Sequence, residues 1–325
     1  MPKRNALLFI RRAAVLAAVA LLMPAAHAWT NKPVRMLVPA PAGGTMDVMA
    51  RLLAEQLTAD LGQPVVVDNK PGGGGAIAIA TLLAAPADGQ TVMVTATNVL
   101  TEVPQVQKTP YDTMKDIRPL AAVGRSRMVL VGAPGLPPKD LKSLIAYVKA
   151  NPGKLSFASY SAGTASHYAG AIMNQEAGMD LQHVPFAGSG PALSQVMGGQ
   201  IPLMYDGMVT SLPMIRAGKV QPYAVASKTR SPLLPQVPTF AEQGFPDIDF
   251  SNWVGVIGSS HLPMDLSVKI QNAVYKAANQ PKVRERLEAL GYEPMPPQTL
   301  QELERSLHAE YDRNATIVKN FRIQP

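Results

Sequence analysis

Beyond residue 28, short apolar runs alternate with amphipathic stretches. Arg35-Met36-Leu37-Val38 reads as a partly buried strand, ended by Pro39 and Pro41, neither of which can donate to a sheet ladder. Val48, Met49, Leu52, Leu53 and Leu57 then recur at helical spacing. Between the two, Gly43-Gly44 permits positive φ and close approach of backbone to a guest, and Thr45 or Asp47 is placed to cap the helix. The alternation continues through a strand at Val65 to Val67, a small-residue helix from Ala76 to Ala84 and a strand from Thr91 to Thr95. This β-α-β-α-β order predicts an α/β fold with helices on both faces of a sheet.

Strands are expected near Ala121 and Met128, and a helix from Leu141 to Ala150. The opening pattern then returns: strand Leu155 to Tyr160, turn Ser161-Ala162-Gly163-Thr164, helix Ser166 to Ala177 with Tyr168, Ala171, Ile172 and Gln175 on one face. Further strands are expected at Leu181 to Phe186, Ile201 to Asp206 and Val220 to Ala226, with a helix opened by Pro191 and another reaching Ala217. Trp253 to Ile257 reads as a strand crossing back, followed by helices Asp265 to Asn279, Val283 to Leu290 and Leu300 to Asn320, the last expected on the first lobe. The organisation expected is a leader at 1–28, one lobe from 29–126 and 252–325, and a second from 127–251.

Each strand-turn-helix unit ends on a helix N-terminus, where four backbone N–H groups lack internal partners and the dipole adds partial positive charge. Such ends bind anions without a cationic side chain. Two of them facing each other across a cleft suit a ligand with two carboxylates, or one carboxylate held from both sides.

Charge and composition narrow this reading. Lys3, Arg4, Arg11 and Arg12 precede an apolar run from Ala13 to Met23 and an Ala26-His27-Ala28 cleavage site, a secretory signal peptide that predicts export to the periplasm. The apolar run is about half of the ~20 residues needed to span a bilayer. The formal charge is +7, and removing the four basic leader residues leaves +3. No basic run is interleaved with aromatics, so nucleic-acid binding is unsupported. Cys is absent, which excludes disulfides, thiolate metal sites and cysteine nucleophiles. Gly72-Gly73-Gly74-Gly75 lacks the following Gly-Lys-Ser/Thr of a P-loop. No His spacing suggests a metal site, and no cofactor is expected.

The segments Pro39-Ala40-Pro41-Ala42-Gly43-Gly44-Thr45-Met46-Asp47, Val66-Val67-Asp68-Asn69-Lys70-Pro71-Gly72 and Ala87-Asp88-Gly89 resemble the Bug family, the TctC-like extracytoplasmic solute-binding proteins of tripartite tricarboxylate transport systems. Pro152-Gly153-Lys154-Leu155, Gly198-Gly199-Gln200-Ile201, Arg230-Ser231, Pro235 to Thr239 with Glu242, and Trp253 extend the resemblance in order. It implies a type II periplasmic-binding-protein fold, two α/β lobes around a central cleft, closing on a carboxylate. It also implies delivery to membrane permease subunits, and a monomer is expected. Carried over, Ala42, Gly43, Gly44, Thr45, Met46 and Asp47 face Ser161, Ala162, Gly163, Thr164, Ser166 and His167, with Thr97 and Asp206 at strand ends. Three positions depart from the family pattern. Ala40 stands where an aromatic is common, Phe186-Ala187 replaces a tyrosine-lysine pair, and Ala76 replaces an asparagine. A wider, less charged pocket near Ala40 and Phe186, with Tyr160, Tyr168 or Tyr205 nearby, suits an aromatic diacid of the phthalate type.

Two rivals remain at this level. Ser159-Tyr160-Ser161-Ala162-Gly163 approaches a nucleophile elbow, and Asp206 and His261 follow in the order of an α/β-hydrolase. The first glycine of that motif is Ser159, however, and His261 falls in a surface-like loop. A ligand-sensing module for a receptor would use the same clamp. Arg125 and Arg127 read as surface charge, and Asp47 as a cap more than as a partner for an anion.

Overall fold

The computed structural model describes residues 29–43 and 45–323. The leader and Gly44 lie outside the described residues.

The first half opens with β1 (Val34–Val38), α1 (Thr45–Leu61), β2 (Val65–Asn69), α2 (Ala76–Ala84) and β3 (Thr91–Ala96). Three short helices follow, α3 (Asn98–Thr101), α4 (Val103–Val106) and α5 (Thr113–Asp116), none of which periodicity could reveal at one turn each. The segment read as two strands is one 16-residue strand, β4 (Ile117–Gly132). Its two portions lie in different sheets, so the polar interruption Arg125-Ser126-Arg127 marks a crossing and not a turn. The second half contains α6 (Leu141–Lys149), β5 (Leu155–Ser159), α7 (Ala165–Glu176), β6 (Leu181–Pro185), α8 (Ser189–Met197), β7 (Leu203–Gly207), α9 (Met208–Arg216) and β8 (Gln221–Ala226). The chain returns through β9 (Ser251–Ser259), then α10 (Met264–Ala278), α11 (Pro281–Ala289), β10 (Glu293–Pro294) and α12 (Leu300–Phe321).

The strand order is β2-β1-β3-β9-β4-β7-β5-β6, with β10 and β8 each pairing with β4. β1 lies parallel to β2 and β3, and β5 lies parallel to β6 and β7. β9 runs antiparallel to both β3 and β4. From Ile117 to Arg127, β4 pairs with β9; from Met128 to Gly132 it pairs with β7 and β8. One strand is thereby shared by two α/β halves. Their parallel strands end at the loops that open α1 and α7, where ligands of open α/β sheets bind.

The apolar periodicity of α1 is realised in the core: Met49, Leu53 and Leu57 are fully buried against Val34, Met36 and Val38. In α7 the buried stripe is Tyr168, Ala169, Ile172 and Met173, while Gln175 is exposed. The face anticipated for Ala171 and Gln175 is rotated, because Tyr168 and Ile172 pack beside Phe157 of β5. The last helix also differs from expectation. Leu303 and Leu307 of α12 enter the first half's core, but Ile317, with Val318 and Phe321 behind it, packs into the second half. A helix of 22 residues is about 33 Å long, enough to cover both halves. Arg127 is no surface charge: its guanidinium pairs bidentately with Glu293 and donates to Thr229 O at 2.7 Å.

Candidate ligand-binding site

The first loop, Pro39 to Gly43, leaves β1 and leads into α1. Gly43 has φ +78, and a Cβ added there would meet nothing within 4 Å. Asp47, on the first turn of α1, is 2% exposed. Its Oδ2 accepts the Gly43 N–H at 2.8 Å and Arg51 Nε at 2.9 Å, and its Oδ1 accepts Asn69 Nδ2 at 3.0 Å. Burial raises this carboxyl's pKa, but Arg51, Gly43 and Asn69 together outweigh that and hold it low. The same Asn69 amide donates to Ala40 O at 2.9 Å, tying the loop to β2. Asp47 therefore braces the loop ahead of its helix, and its oxygens are taken. Ala42 and Gly43 stay exposed, Ala40 and Met46 are partly buried against the first core, and Gly44 is outside the described residues.

The second loop, Tyr160 to Thr164, leaves β5 and leads into α7. Gly163 has φ +71, and a Cβ there would lie 2.2 Å from Val106 Cγ2 of α4. This loop is pressed against the first half. Its helix end is also occupied. Glu102, between α3 and α4 and 1% exposed, accepts the N–H of Ala165 on Oε2 at 2.5 Å and Asn252 Nδ2 on Oε1 at 3.2 Å. The Tyr168 hydroxyl donates to Glu102 O at 2.9 Å. Burial pushes the Glu102 carboxyl up to about 8 and the neighbouring Glu310 charge adds to the rise, against the Ala165 N–H, Asn252 and Arg313. A carboxyl group does sit on the N-terminus of α7, and it belongs to the chain. Nothing in the spacing of Glu102 in the sequence signals this, because its partner lies 63 residues away.

The remaining residues divide clearly. Ser161 and Ala162 are partly exposed on the loop. The Thr164 hydroxyl donates to Ser161 O at 2.7 Å, and the Ser166 hydroxyl donates to Tyr205 O inside the second half. His167 is partly exposed and accepts the Gly163 N–H on Nδ1 at 3.2 Å. Thr97 is buried, its hydroxyl 2.9 Å from Asn252 Oδ1. Asp206 is fully buried at the end of β7, ringed by Ser189 Oγ at 2.5 Å, Thr210 Oγ1 at 2.6 Å and Ser211 Oγ at 2.7 Å. Burial raises its pKa against those bonds. Phe186 is partly buried against the second half's core, and Tyr168 and Tyr205 are fully buried.

These bonds also bear on the hydrolase reading. Ser161 Oγ bonds to Ala162 O, Asp206 to its three hydroxyls, and the exposed His261 to Ser259. No two members of that triad are hydrogen-bonded together among the described residues. Nor do any three or more His, Asp or Glu side chains there converge on a metal position. Two surface hollows lie away from the loops, one lined by Arg35, Ile77 and Ala84, the other by Arg118, Glu304 and His308.

Residues 49–323 match the model of the tripartite tricarboxylate transporter family receptor. The chain belongs to that family. It is similar to BugT of Bordetella pertussis, 34% identical over 293 residues covering 89% of this chain and 87% of the relative. Among solved structures it resembles an R. palustris protein with adipate, 30% identical with TM-score 0.84 over 91% of this chain and 99% of that one. It also resembles MatC of Rhodopseudomonas palustris with bound malate, 31% identical with TM-score 0.81 over 89% and 99% of the two chains. As a receptor of this family the chain is a solute-binding protein and not an enzyme.

Proposed function

We propose that this protein captures a small aliphatic dicarboxylate between the β1–α1 and β5–α7 loops, in the periplasm, and delivers it to the permease of a tripartite transporter. The bodies that close on the ligand are 29–126 with 252–325, and 127–251. The observation that carries the reading is the pairing of two strand-loop-helix units across β4 and β9, each presenting loop backbone at the C-terminal end of a parallel sheet. The adipate and malate of the two R. palustris neighbours supply the ligand class.

On the first side the donors are the loop amides and the first turn of α1, whose N–H groups have no partner inside the helix. On the second side they are Ser161, Ala162 and His167. The buried Tyr168, Tyr205, Thr97, Thr164, Ser166 and Asp206 act through the frame that holds these loops. With Tyr168 and Tyr205 in the core, Tyr160 and Phe186 are what remain partly exposed of the four aromatics considered for the pocket, which favours an aliphatic over a phthalate-type guest. A ligand that touches both halves binds their closed arrangement better and shifts the population toward it. A thermal-shift screen over adipate, malate, citrate, phthalate and benzoate tests the reading. An aliphatic dicarboxylate should give the largest rise in melting temperature. A rise with phthalate alone would restore the aromatic reading, and no rise with any of the five would remove the carboxylate assignment.

A further inference from the structure

The helix that the second loop opens carries, on its first turn, a histidine whose tautomer is set by its partners. His167 Nδ1 receives the Gly163 N–H at 3.2 Å. Only a bare ring nitrogen can accept that bond, so a neutral His167 carries its proton on Nε2. The ring plane is held as well. It stacks on His183 with centroids 3.9 Å apart and planes 9° from parallel. His183 in turn stacks on Phe157 at 5.0 Å and has its Nε2 2.7 Å from Ser159 Oγ. Burial lowers His167 to about 4 and, with His167 beside it, lowers His183 to about 4, so both rings are neutral at pH 7.

The helix behind this histidine offers a ligand little. Glu102 holds the Ala165 N–H, and the His167 N–H turns back to Thr164 O at 2.8 Å. The His167 Nε2–H makes no hydrogen bond among the described residues, yet the side chain keeps partial exposure. A neutral donor that is oriented, partly open and without a partner among the described residues stands on the first turn of the helix opened by the loop that a ligand is proposed to meet.

We propose that His167, locked by Gly163 as its Nε2–H tautomer, is the side chain that donates to the ligand's carboxylate from the second half. This rests on the cleft reading above and deepens it. That end of the ligand is then read by a neutral imidazole and loop amides, while the α7 N-terminus is reserved for Glu102. A directional N–H selects an acceptor oxygen at that point and rejects a ligand end that presents only donors, such as an ammonium group.

Two substitutions separate the ring's two edges. His167→Asn places an amide oxygen near Nδ1, keeps the Gly163 bond and removes the far donor. His167→Gln carries an N–H out toward the Nε2 position and gives up the Gly163 bond. Calorimetry with adipate, malate and phthalate on the full mature chain should show H167N losing roughly tenfold or more in affinity for the tightest of the three, as for a hydrogen bond to a charged group, with H167Q recovering most of it. Long-range 15N–1H correlation on the parent should find the Nε2–H tautomer, and that proton should move downfield as the same probe is added. Undiminished binding by H167N, an Nδ1–H tautomer, or an unmoved Nε2–H on saturation would each overturn the proposal while leaving the cleft reading intact. If H167N melts early, the tautomer and the titration shift decide alone. No binding of any probe by the parent would overturn the cleft reading and this proposal together.

Discussion

The two loops begin from the same local grammar and end in different situations. Each follows a parallel strand, contains a glycine at positive φ and opens a helix. In each, a carboxylate accepts a backbone N–H at the start of the unit. In the first the carboxylate is Asp47, four residues from the Gly43 it receives, and the loop is open to solvent. In the second it is Glu102, contributed by the other half, and Gly163 is pressed on Val106. The first loop is therefore braced from within its own half, by Asp47 of its helix and Asn69 of the neighbouring strand. The second is fastened to the junction, through Glu102 to Asn252 of β9 and through the Tyr168 hydroxyl to the backbone of Glu102. A helix N-terminus is a ready anion site only when the fold has not already supplied an acceptor for its N–H groups.

The contrast is sharpest at the glycines. Gly163→Ala should destabilise by about 2–4 kcal/mol, since left-handed backbone strain adds to a steric collision with Val106. Gly43→Ala, with open space around its Cβ, should cost only about 1 kcal/mol of strain. Urea midpoints of the two variants check this, and equal midpoints would mean the Val106 contact yields. Next come the carboxylates. Glu102→Ala strands two donors in a buried position and should cost about 2–4 kcal/mol, against about 1–2 kcal/mol for the equally buried Asp47→Ala, whose partners Gly43 and Arg51 are exposed and can turn to water. A smaller loss for Glu102 than for Asp47 would break the idea that the second loop is fastened from across the junction.

The pH dependence should separate the two carboxylates by sign. Burial raises Glu102 to about 8 and Glu310 to about 7 in the fold, whereas the unfolded chain titrates near 4.5. Between about 4.5 and 8 the folded protein holds protons that the unfolded chain has released, so this pair makes stability fall as pH rises. Asp47 is held below its ordinary value, so its contribution is present at neutral pH and is lost on acidification below about 4. From pH 5 to 6.5 His167 and His183, lowered to about 4 in the fold, pull the other way, so the test lies above that range: melting curves from pH 6.5 to 8 should decline in the parent and decline less in Glu102→Gln. The smallest effect belongs to Arg51→Ala. Its side chain is 56% exposed, so its ion pair with Asp47 should contribute no more than about 0.5 kcal/mol in a chemical melt.

Much of the site's scaffold was legible because it is local. Proline stops, a glycine pair and the Met49-Leu53-Leu57 stripe mark a strand, a turn and a helix within about 25 residues of chain. The second unit was legible for the same reason. What escaped were contacts between distant segments: β4 as one strand serving two sheets, α12 covering both halves, Arg127 clasped by Glu293, and Glu102 on α7. The family resemblance carried Asp206 over as a site residue at a strand end, and Ser189, Thr210 and Ser211 close around it.

Hydrophobic period and turn chemistry therefore determined, from the sequence alone, where each strand-loop-helix unit lies and which family the motifs resemble, because both act within a few residues. Only the tertiary structure decided which helix end faces outward and which is filled by the chain's own carboxylate, because a buried polar group is satisfied by whatever the fold brings to it, at any separation along the chain.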